Sequence, residues 1–194
     1  MTMEDYSYLE FDETGKIIIG CDYCDSNVVI PEGVTSIGKC AFEDCESLIS
    51  IKIPDSVTNI GERAFMDCSS LTSIEIPNSV TSIGESAFSG CSGLTSIEIP
   101  NSVTIIEWGT FSGCSGLTSI EISDSVICIA TDAFEGCSSL KEIHLRNEHP
   151  ENIKVDYRAF EELSNCTLFV PVGTGYAYRH DWRFDVFKEV KIER

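Results

Sequence analysis

The sequence predicts a right-handed α/β-type repeat solenoid, with a parallel β-sheet on its concave face, short helical or 3₁₀ turns, and capped ends. The observation behind it is a step of 23 residues that several residue types share. The recurring positions are Cys45, Cys68, Cys91, Cys114 and Cys137; Phe42, Phe65, Phe88, Phe111 and Phe134; Leu48, Leu71, Leu94, Leu117 and Leu140; and Pro31, Pro54, Pro77 and Pro100. Five full copies of the unit therefore extend from Val28 to Glu142, with Ser123 in place of a fifth proline.

Each copy contains the elements of one coil. Residues 71–77, LTSIEIP, predict a short parallel strand whose apolar side chains are directed into the core, and Pro77 ends it. Residues 80–83 predict a second short extended segment, and Gly84 a bend. Phe88 follows in a short helical or 3₁₀ turn and fills the interior. Because one copy cannot bury its apolar side alone, the copies must stack.

Both ends of such a stack need caps, since a bare terminus exposes apolar core and an unpaired strand edge. We predict an N-terminal cap with a hairpin arm at residues 1–27 and the five repeats at residues 28–142. The period fails after that, so residues 143–194 are predicted to form an irregular last coil and an aromatic C-terminal cap. Within it, Thr167–Pro171 is predicted as the last strand and Gly175–Trp182 as a short helix.

The repeat unit carries a family resemblance. Residues 76–98, IPNSVTSIGESAFSGCSGLTSIE, resemble the BspA-like leucine-rich repeat, and the resemblance extends from Val28 to the C-terminus. It implies a leucine-rich-repeat coil stack. It also implies a link to bacterial and protozoan proteins that are on the cell surface or secreted, some of which bind host matrix proteins. The resemblance is specific for the fold and does not identify a partner.

The charge excludes several classes of partner. Acidic residues outnumber basic ones 32 to 13, for a net charge of −19, which argues against nucleic acid and against an anionic membrane surface. No apolar run approaches the roughly 20 residues of a membrane span. The acidic start, Met1–Asp5, is unlike a secretory signal, so we expect a cytoplasmic protein, or a surface or secreted one whose signal was removed.

The ten cysteines allow three interpretations. The five that recur with the repeat are predicted to be reduced core thiols. The others include Cys21, Cys24 and Cys40, which with Cys45 have the spacing C-x₂-C-x₁₅-C-x₄-C, similar to a zinc ribbon. A zinc site, a disulfide within Cys21, Cys24 and Cys40, or idle thiols remain open there; we expect no metal and no cofactor.

The sequence does not predict an enzyme. It contains neither a nucleophile elbow, a phosphate-binding loop nor a zinc-protease helix. His144 stands in the column of strand glutamates and is interpreted as a solvent-facing strand residue. We therefore expect no catalytic residue.

The polar side chains that alternate with the core are predicted to face outward on the concave sheet. Glutamates stacked about 4.8 Å apart repel each other by about 1 kcal/mol per pair in water, which a basic partner would relieve. The alternative is that these residues only keep the sheet soluble. Trp108 replaces a charged residue and either anchors a partner or folds over the neighbouring coil beside Thr131. The candidate partner-binding residues are Ser73, Glu75, Ser96, Glu98, Ser119, Glu121, His144 and Trp108.

These features favour a non-catalytic module that binds a protein through the concave sheet, with a role in adhesion or host interaction if it is exported. The expected partner is a protein with a basic surface, without nucleic acid or membrane insertion, and the chain is expected to be a monomer. One alternative is an intracellular adaptor or effector scaffold. A further one is a metal or thiol-redox protein that uses Cys21 and Cys24.

Overall fold

Each coil of the chain contributes two short strands, because two apolar segments per repeat are separated by proline- and glycine-containing turns. The computed structural model describes residues 6–193 as a β-solenoid of about eight turns. The strands in this range are β1 (Leu9–Phe11), β2 (Ile17–Cys21), β3 (Asn27–Val29), β4 (Ser36–Ile37), β5 (Ser50–Lys52), β6 (Asn59–Ile60), β7 (Ser73–Glu75), β8 (Ser82–Ile83), β9 (Ser96–Glu98), β10 (Ile105–Ile106), β11 (Ser119–Ile122), β12 (Cys128–Ile129), β13 (Glu142–Leu145), β14 (Lys154–Val155), β15 (Thr167–Val170) and β16 (Glu189–Ile192). Helix α1 spans Gly175–Arg179, and 3₁₀ turns lie at Pro150–Asn152 and Trp182–Phe184.

The strands form parallel sheets on two sides of the solenoid. On one side the sheets have the orders β3-β5-β7 and β9-β11-β13-β15-β16, and on the other β1-β2-β4-β6-β8 and β10-β12-β14. Within the repeats the register follows the 23-residue step, so that Ile51 lies opposite Ile74 and Ile120 opposite Ile143. Equivalent residues of successive repeats therefore form rows across each sheet.

The core contains a continuous file of phenylalanine rings. Phe42, Phe65, Phe88, Phe111 and Phe134 are fully buried and stack with centroid separations of 5.3–5.8 Å. Phe160, beyond the regular repeats, extends the file at 5.9 Å from Phe134. The predicted solenoid with its internal file of phenylalanines is confirmed.

A second file in the core consists of thiols. The sulfhydryl groups of Cys68, Cys91, Cys114 and Cys137 each donate a hydrogen bond of 3.1 Å to the carbonyl oxygen of the phenylalanine in the preceding coil. Burial raises the pKa of the Cys68 and Cys137 thiols to about 12. A cysteine fits this position because it is small and apolar and still satisfies a buried carbonyl.

The segments that carry the phenylalanines are successive hydrogen-bonded turns. The N–H of Cys91 donates to the carbonyl of Phe88, and that of Leu94 to the carbonyl of Cys91, both with the i to i−3 pattern of a β-turn. Each such segment also bonds to the next coil, as in the 2.9 Å hydrogen bond from Phe88 N–H to Thr110 C=O. Gly90, with φ of 74°, takes the left-handed conformation at the third position of the turn from Phe88 to Cys91.

One interface between neighbouring coils, between residues 73–95 and 96–118, interrupts the sheets on both sides. Strands β7 and β9 belong to different sheets, and so do β8 and β10. The ring centroids of Phe88 and Phe111 are 5.8 Å apart, more than the 5.3 Å between Phe65 and Phe88 and similar to the 5.7 and 5.9 Å of the two pairs that follow. We call this interface the seam. The sheet that the sequence predicts as continuous is therefore divided into two blocks.

The seam coincides with departures from the repeat at Glu107, Trp108 and Thr110. Gly84, which corresponds to Glu107, lies so close to the preceding coil that a Cβ atom there would be 2.5 Å from the backbone nitrogen of Glu62. Position 107 carries a Cβ atom, but so do Ala130 and Asp156 at the same position of the next two coils, where the strands remain paired. The Cβ atom alone therefore does not explain the seam.

Both ends of the stack are covered. At the N-terminal end, β1 and β2 form an antiparallel hairpin; the predicted cap of residues 1–27 also includes Met1–Asp5, which lie outside the described residues. At the C-terminal end β15 is not the last strand, because the chain returns after α1 and β16 pairs with it. None of the described helices has the length and apolar character that a membrane crossing requires.

The C-terminal segment is held to the last coils by hydrogen bonds. The hydroxyl of Tyr178, a buried residue, donates to the carbonyl of Asn147 at 2.8 Å. The Arg183 guanidinium donates to the carbonyls of Pro150, at 2.9 Å, and Ile153. These bonds fix the position of β16 and hence the end of the sheet that carries the candidate site.

Candidate functional site

Side chains of β5, β7, β9, β11, β13, β15 and β16 line an open groove of about 1970 Å³ on one side of the solenoid. Seven of the eight candidate residues predicted from the sequence line it, because each alternates with a buried isoleucine of its strand. They are Ser73, Glu75, Ser96, Glu98, Ser119, Glu121 and His144.

Parallel pairing arranges the groove residues in two rows. The serine row consists of Asn27, Ser50, Ser73, Ser96, Ser119, Glu142, Thr167 and Glu189. The glutamate row consists of Lys52, Glu75, Glu98, Glu121, His144, Phe169 and Lys191. The seam passes between Glu75 and Glu98.

The middle of the glutamate row is its most acidic part. Glu75 and Glu98 are exposed, and neither has a cation of the described chain within ion-pair distance. Glu75 and Glu98 lie on β7 and β9, on opposite sides of the seam, and the residue paired with Glu75 in the ladder is Lys52, which forms no ion pair with it. This part of the groove therefore presents two exposed carboxylates without an ion-pair partner in the described chain.

The C-terminal end of the groove combines aromatic and charged groups. The His144 imidazole and the Phe169 ring are stacked, with centroids 4.7 Å apart and planes inclined by 6°. The Lys191 ammonium lies 5.9 Å from the centroid of the Phe169 ring, within the range of a cation–π contact. The Glu193 carboxylate contacts both His144 and Arg146. We call His144, Arg146, Phe169, Lys191 and Glu193 the aromatic–ionic end.

Arg146 neutralises the last glutamate of the row. Its Nε donates to Oε1 of Glu121 at 2.8 Å, and this hydrogen bond, opposed by partial burial and aided by the positive charge, lowers the pKa of the Glu121 carboxyl. Glu121 consequently differs from Glu75 and Glu98, although the sequence predicts the same role for all three.

Sequence reasoning missed the residues of the aromatic–ionic end other than His144. Arg146 occupies the repeat position that proline holds in the first copies. This departure from the repeat is the sequence signal that could have identified Arg146 as a site residue. Phe169 follows His144 by 25 residues and Lys191 follows Phe169 by 22, so neither lies on the 23-residue step. Only the strand pairing reveals that they continue the glutamate row.

Trp108 is not part of the groove. It follows β10 at the seam, and its side chain is 47% exposed. Ile105 and Ile127 of the same side of the solenoid are also exposed, at 38% and 52%. Trp108 thus lies outside the groove among other exposed apolar residues of that side, and the eight predicted residues do not form one surface.

The cysteines at the N-terminal end differ from the prediction. Cys45 is not a reduced core thiol but forms a disulfide with Cys24, with Cα atoms 5.8 Å apart. The physical reason is the position of Cys45 as the first member of its column. Cys45 faces the segment after β2, whereas the later members of the column face a preceding repeat. The sulfur of Cys21 lies with those of Cys24 and Cys45 in a cluster whose ligand atoms are all within 4.8 Å of one another, while Cys40 is outside it.

The model of the BspA type leucine rich repeat region matches six copies, over residues 21–141 and 58–174. Comparison with curated proteins gave no match.

Several solved structures are similar. A leucine rich cell surface protein of Faecalibacterium prausnitzii is 39% identical over 71% of this chain and 37% of its own, with a TM-score of 0.66. The pneumococcal vaccine antigen PcpA is 20% identical, with a TM-score of 0.81 over 96% of this chain and 46% of its own. The Treponema (T. pallidum) leucine rich repeat protein is 26% identical over 93% of this chain and 90% of its own, with a TM-score of 0.67. The chain thus spans less than half the length of the first two.

Proposed function

Because the chain belongs to the BspA-type leucine-rich repeat family, we propose that it is a non-catalytic recognition module that binds a basic segment of a partner protein along the groove. The repeat family suggests a module of the protein-binding or adhesion type. Solenoids of stacked repeats provide extended surfaces suited to such binding.

The observation that carries the proposal is the pair of exposed carboxylates of Glu75 and Glu98 at the centre of the groove. Lysine or arginine side chains of a partner would form ion pairs with these carboxylates. Complementary charge of this kind raises the association rate and disfavours acidic competitors. The hydroxyl groups of the serine row supply hydrogen bonds beside them.

The aromatic–ionic end supplies the apolar part of the proposed contact. Phe169 and Ile192 both line the groove there, and Ile192 is exposed. Aromatic side chains beside charged groups are frequent energetic centres of protein interfaces. A partner with basic residues followed by an apolar residue fits the sequence of groups along the groove.

We further propose a role in adhesion at the cell surface. The likeness to the Faecalibacterium cell surface protein supports it. The Cys24–Cys45 disulfide supports it as well, because such bonds persist in oxidising surroundings.

The test uses a library of displayed random 20-residue peptides selected on the purified protein. We expect the selected peptides to be rich in lysine and arginine, and their affinity to fall with added salt. The double variant Glu75→Lys/Glu98→Lys should lose most of this binding and most of its salt dependence.

The matched control is Glu46→Lys/Glu85→Lys, which changes two exposed glutamates outside the groove. Both double variants change the net charge from −19 to −15, because each substitution replaces one negative charge with one positive charge. General attraction to an acidic protein therefore changes equally in both. Peptides that are not basic, or that bind both double variants alike, would refute the proposal.

A further inference from the structure

The groove does not use the cysteine cluster at the N-terminal end, which contains Cys21, Cys24 and Cys45. Their sulfur atoms all lie within 4.8 Å of one another. In a tetrahedral zinc site the metal–sulfur bonds are about 2.3 Å, so the sulfur atoms are about 3.8 Å apart. Once the Cys24–Cys45 bond is opened, small side-chain rotations suffice to bring three thiolates to this spacing.

The fold positions two of the three residues independently of the bond, Cys21 and Cys45. Cys21 is the last residue of β2, Cys24 lies in the turn that follows, and Cys45 is buried in the first repeat. The later members of the Cys45 column donate their thiol protons to phenylalanine carbonyls of the preceding coil. Cys45 faces Cys24 instead, so its sulfur becomes available to a ligand once the disulfide is reduced.

The surroundings favour a cation. Asp22, Asp25 and Glu10 act electrostatically on Cys21. Their negative charges would attract a divalent cation to this cluster.

We propose that reduction of the Cys24–Cys45 disulfide converts this cluster into a binding site for one Zn²⁺ ion, with the sulfur atoms of Cys21, Cys24 and Cys45 as ligands and water at the fourth position. The reductant is a dithiol: its two thiols form a disulfide, and the two electrons and two protons they lose convert Cys24 and Cys45 to thiols. Zn²⁺ then replaces the protons of the three thiols. The site exists only in the reduced protein, because a disulfide sulfur is not a thiolate ligand.

The probe is Co²⁺, whose bonds to thiolates give an intense near-ultraviolet absorption. The protein is reduced with dithiothreitol, separated from it by anaerobic desalting, and titrated with Co²⁺ and then with Zn²⁺. We expect the absorption to saturate at one Co²⁺ per chain and to disappear when Zn²⁺ is added. The oxidised protein should show no such absorption.

Two serine variants distinguish the proposed ligands from other thiols. Cys21→Ser keeps the disulfide, so its oxidised form should fold as the parent does, and circular dichroism checks this. After reduction, Cys21→Ser should lose the cobalt absorption. Cys40→Ser is the matched control, because Cys40 lies in the same part of the chain but outside the cluster. The proposal is overturned if the reduced parent gives no cobalt–thiolate absorption, if Cys21→Ser retains it, or if Cys40→Ser loses it.

Discussion

His144 and Phe169 lie face to face across neighbouring strands, with ring centroids 4.7 Å apart and nearly parallel planes. The carboxylate of Glu193, the residue after β16, contacts the imidazole of His144. The stack therefore holds a half-buried aromatic surface in a fixed orientation at one end of the groove.

If this surface anchors a partner, Phe169→Ala should weaken binding of the selected basic peptides by about tenfold, or about 1.4 kcal/mol. The reason is the loss of apolar contact beside the charged groups. Peptide titration followed by fluorescence anisotropy measures the change. Trp108→Ala, outside the groove, serves as the control and should bind as the parent does; equal effects of the two substitutions would contradict the assignment.

The ion pair between Arg146 and Glu121 predicts an acid-dependent contribution to stability. The pKa of Glu121 is lowered in the folded protein from its ordinary value of 4.5. The resulting stabilisation is complete above that value and is lost as the pH falls through the lowered pKa. In Arg146→Met the pKa of Glu121 should return toward 4.5, which NMR titration of the carboxyl carbon would detect. An unchanged titration would show that another group lowers it.

Gly84→Ala should destabilise the protein by about 1–3 kcal/mol, the usual cost of an overpacked contact. The new Cβ atom would meet the backbone of Glu62, which cannot move alone. Gly20→Ala is the matched control, because there the nearest atom is the flexible carboxylate of Glu10. Urea denaturation of both variants makes the comparison. If Gly20→Ala lowers the free energy of unfolding as much as Gly84→Ala does, contact with the backbone is not the cause.

The cysteine assignment predicts a simple count. In the denatured, unreduced protein, iodoacetamide should modify eight cysteines, and after reduction all ten. Mass spectrometry of the intact chain gives both numbers, and peptide mapping should place the two protected residues at Cys24 and Cys45. Ten modified cysteines without reduction would exclude the disulfide.

The repeat made the core and the groove predictable. Residues that share the 23-residue step, such as Phe88 and Phe111 or Glu98 and Glu121, must occupy equivalent places in successive coils. Their burial or exposure then follows from strand alternation. Seven groove residues were accessible to this reasoning for that reason alone.

Features outside the period were not predictable in the same way. The Cys24–Cys45 bond joins the N-terminal segment to the first repeat, and no spacing in the sequence indicates which cysteines meet. Phe169 enters the glutamate row through pairing of β13 with β15, at an irregular distance along the chain. Glu107 was visible in the sequence as a departure from the repeat, but the interruption of the strand pairing next to it is seen only in the structure.

The seam gives the solenoid a preferred point of mechanical yielding. On either side of it the coils are joined by two strand ladders and by the turns. At the seam itself the turn bonds remain, such as those from Ser86 to Trp108 and from Phe88 to Thr110, and one bond from Thr95 to Thr72 lies beside the strands. Because fewer backbone hydrogen bonds join the coils there, we expect tension applied between the two termini to separate the stack first between Phe88 and Phe111.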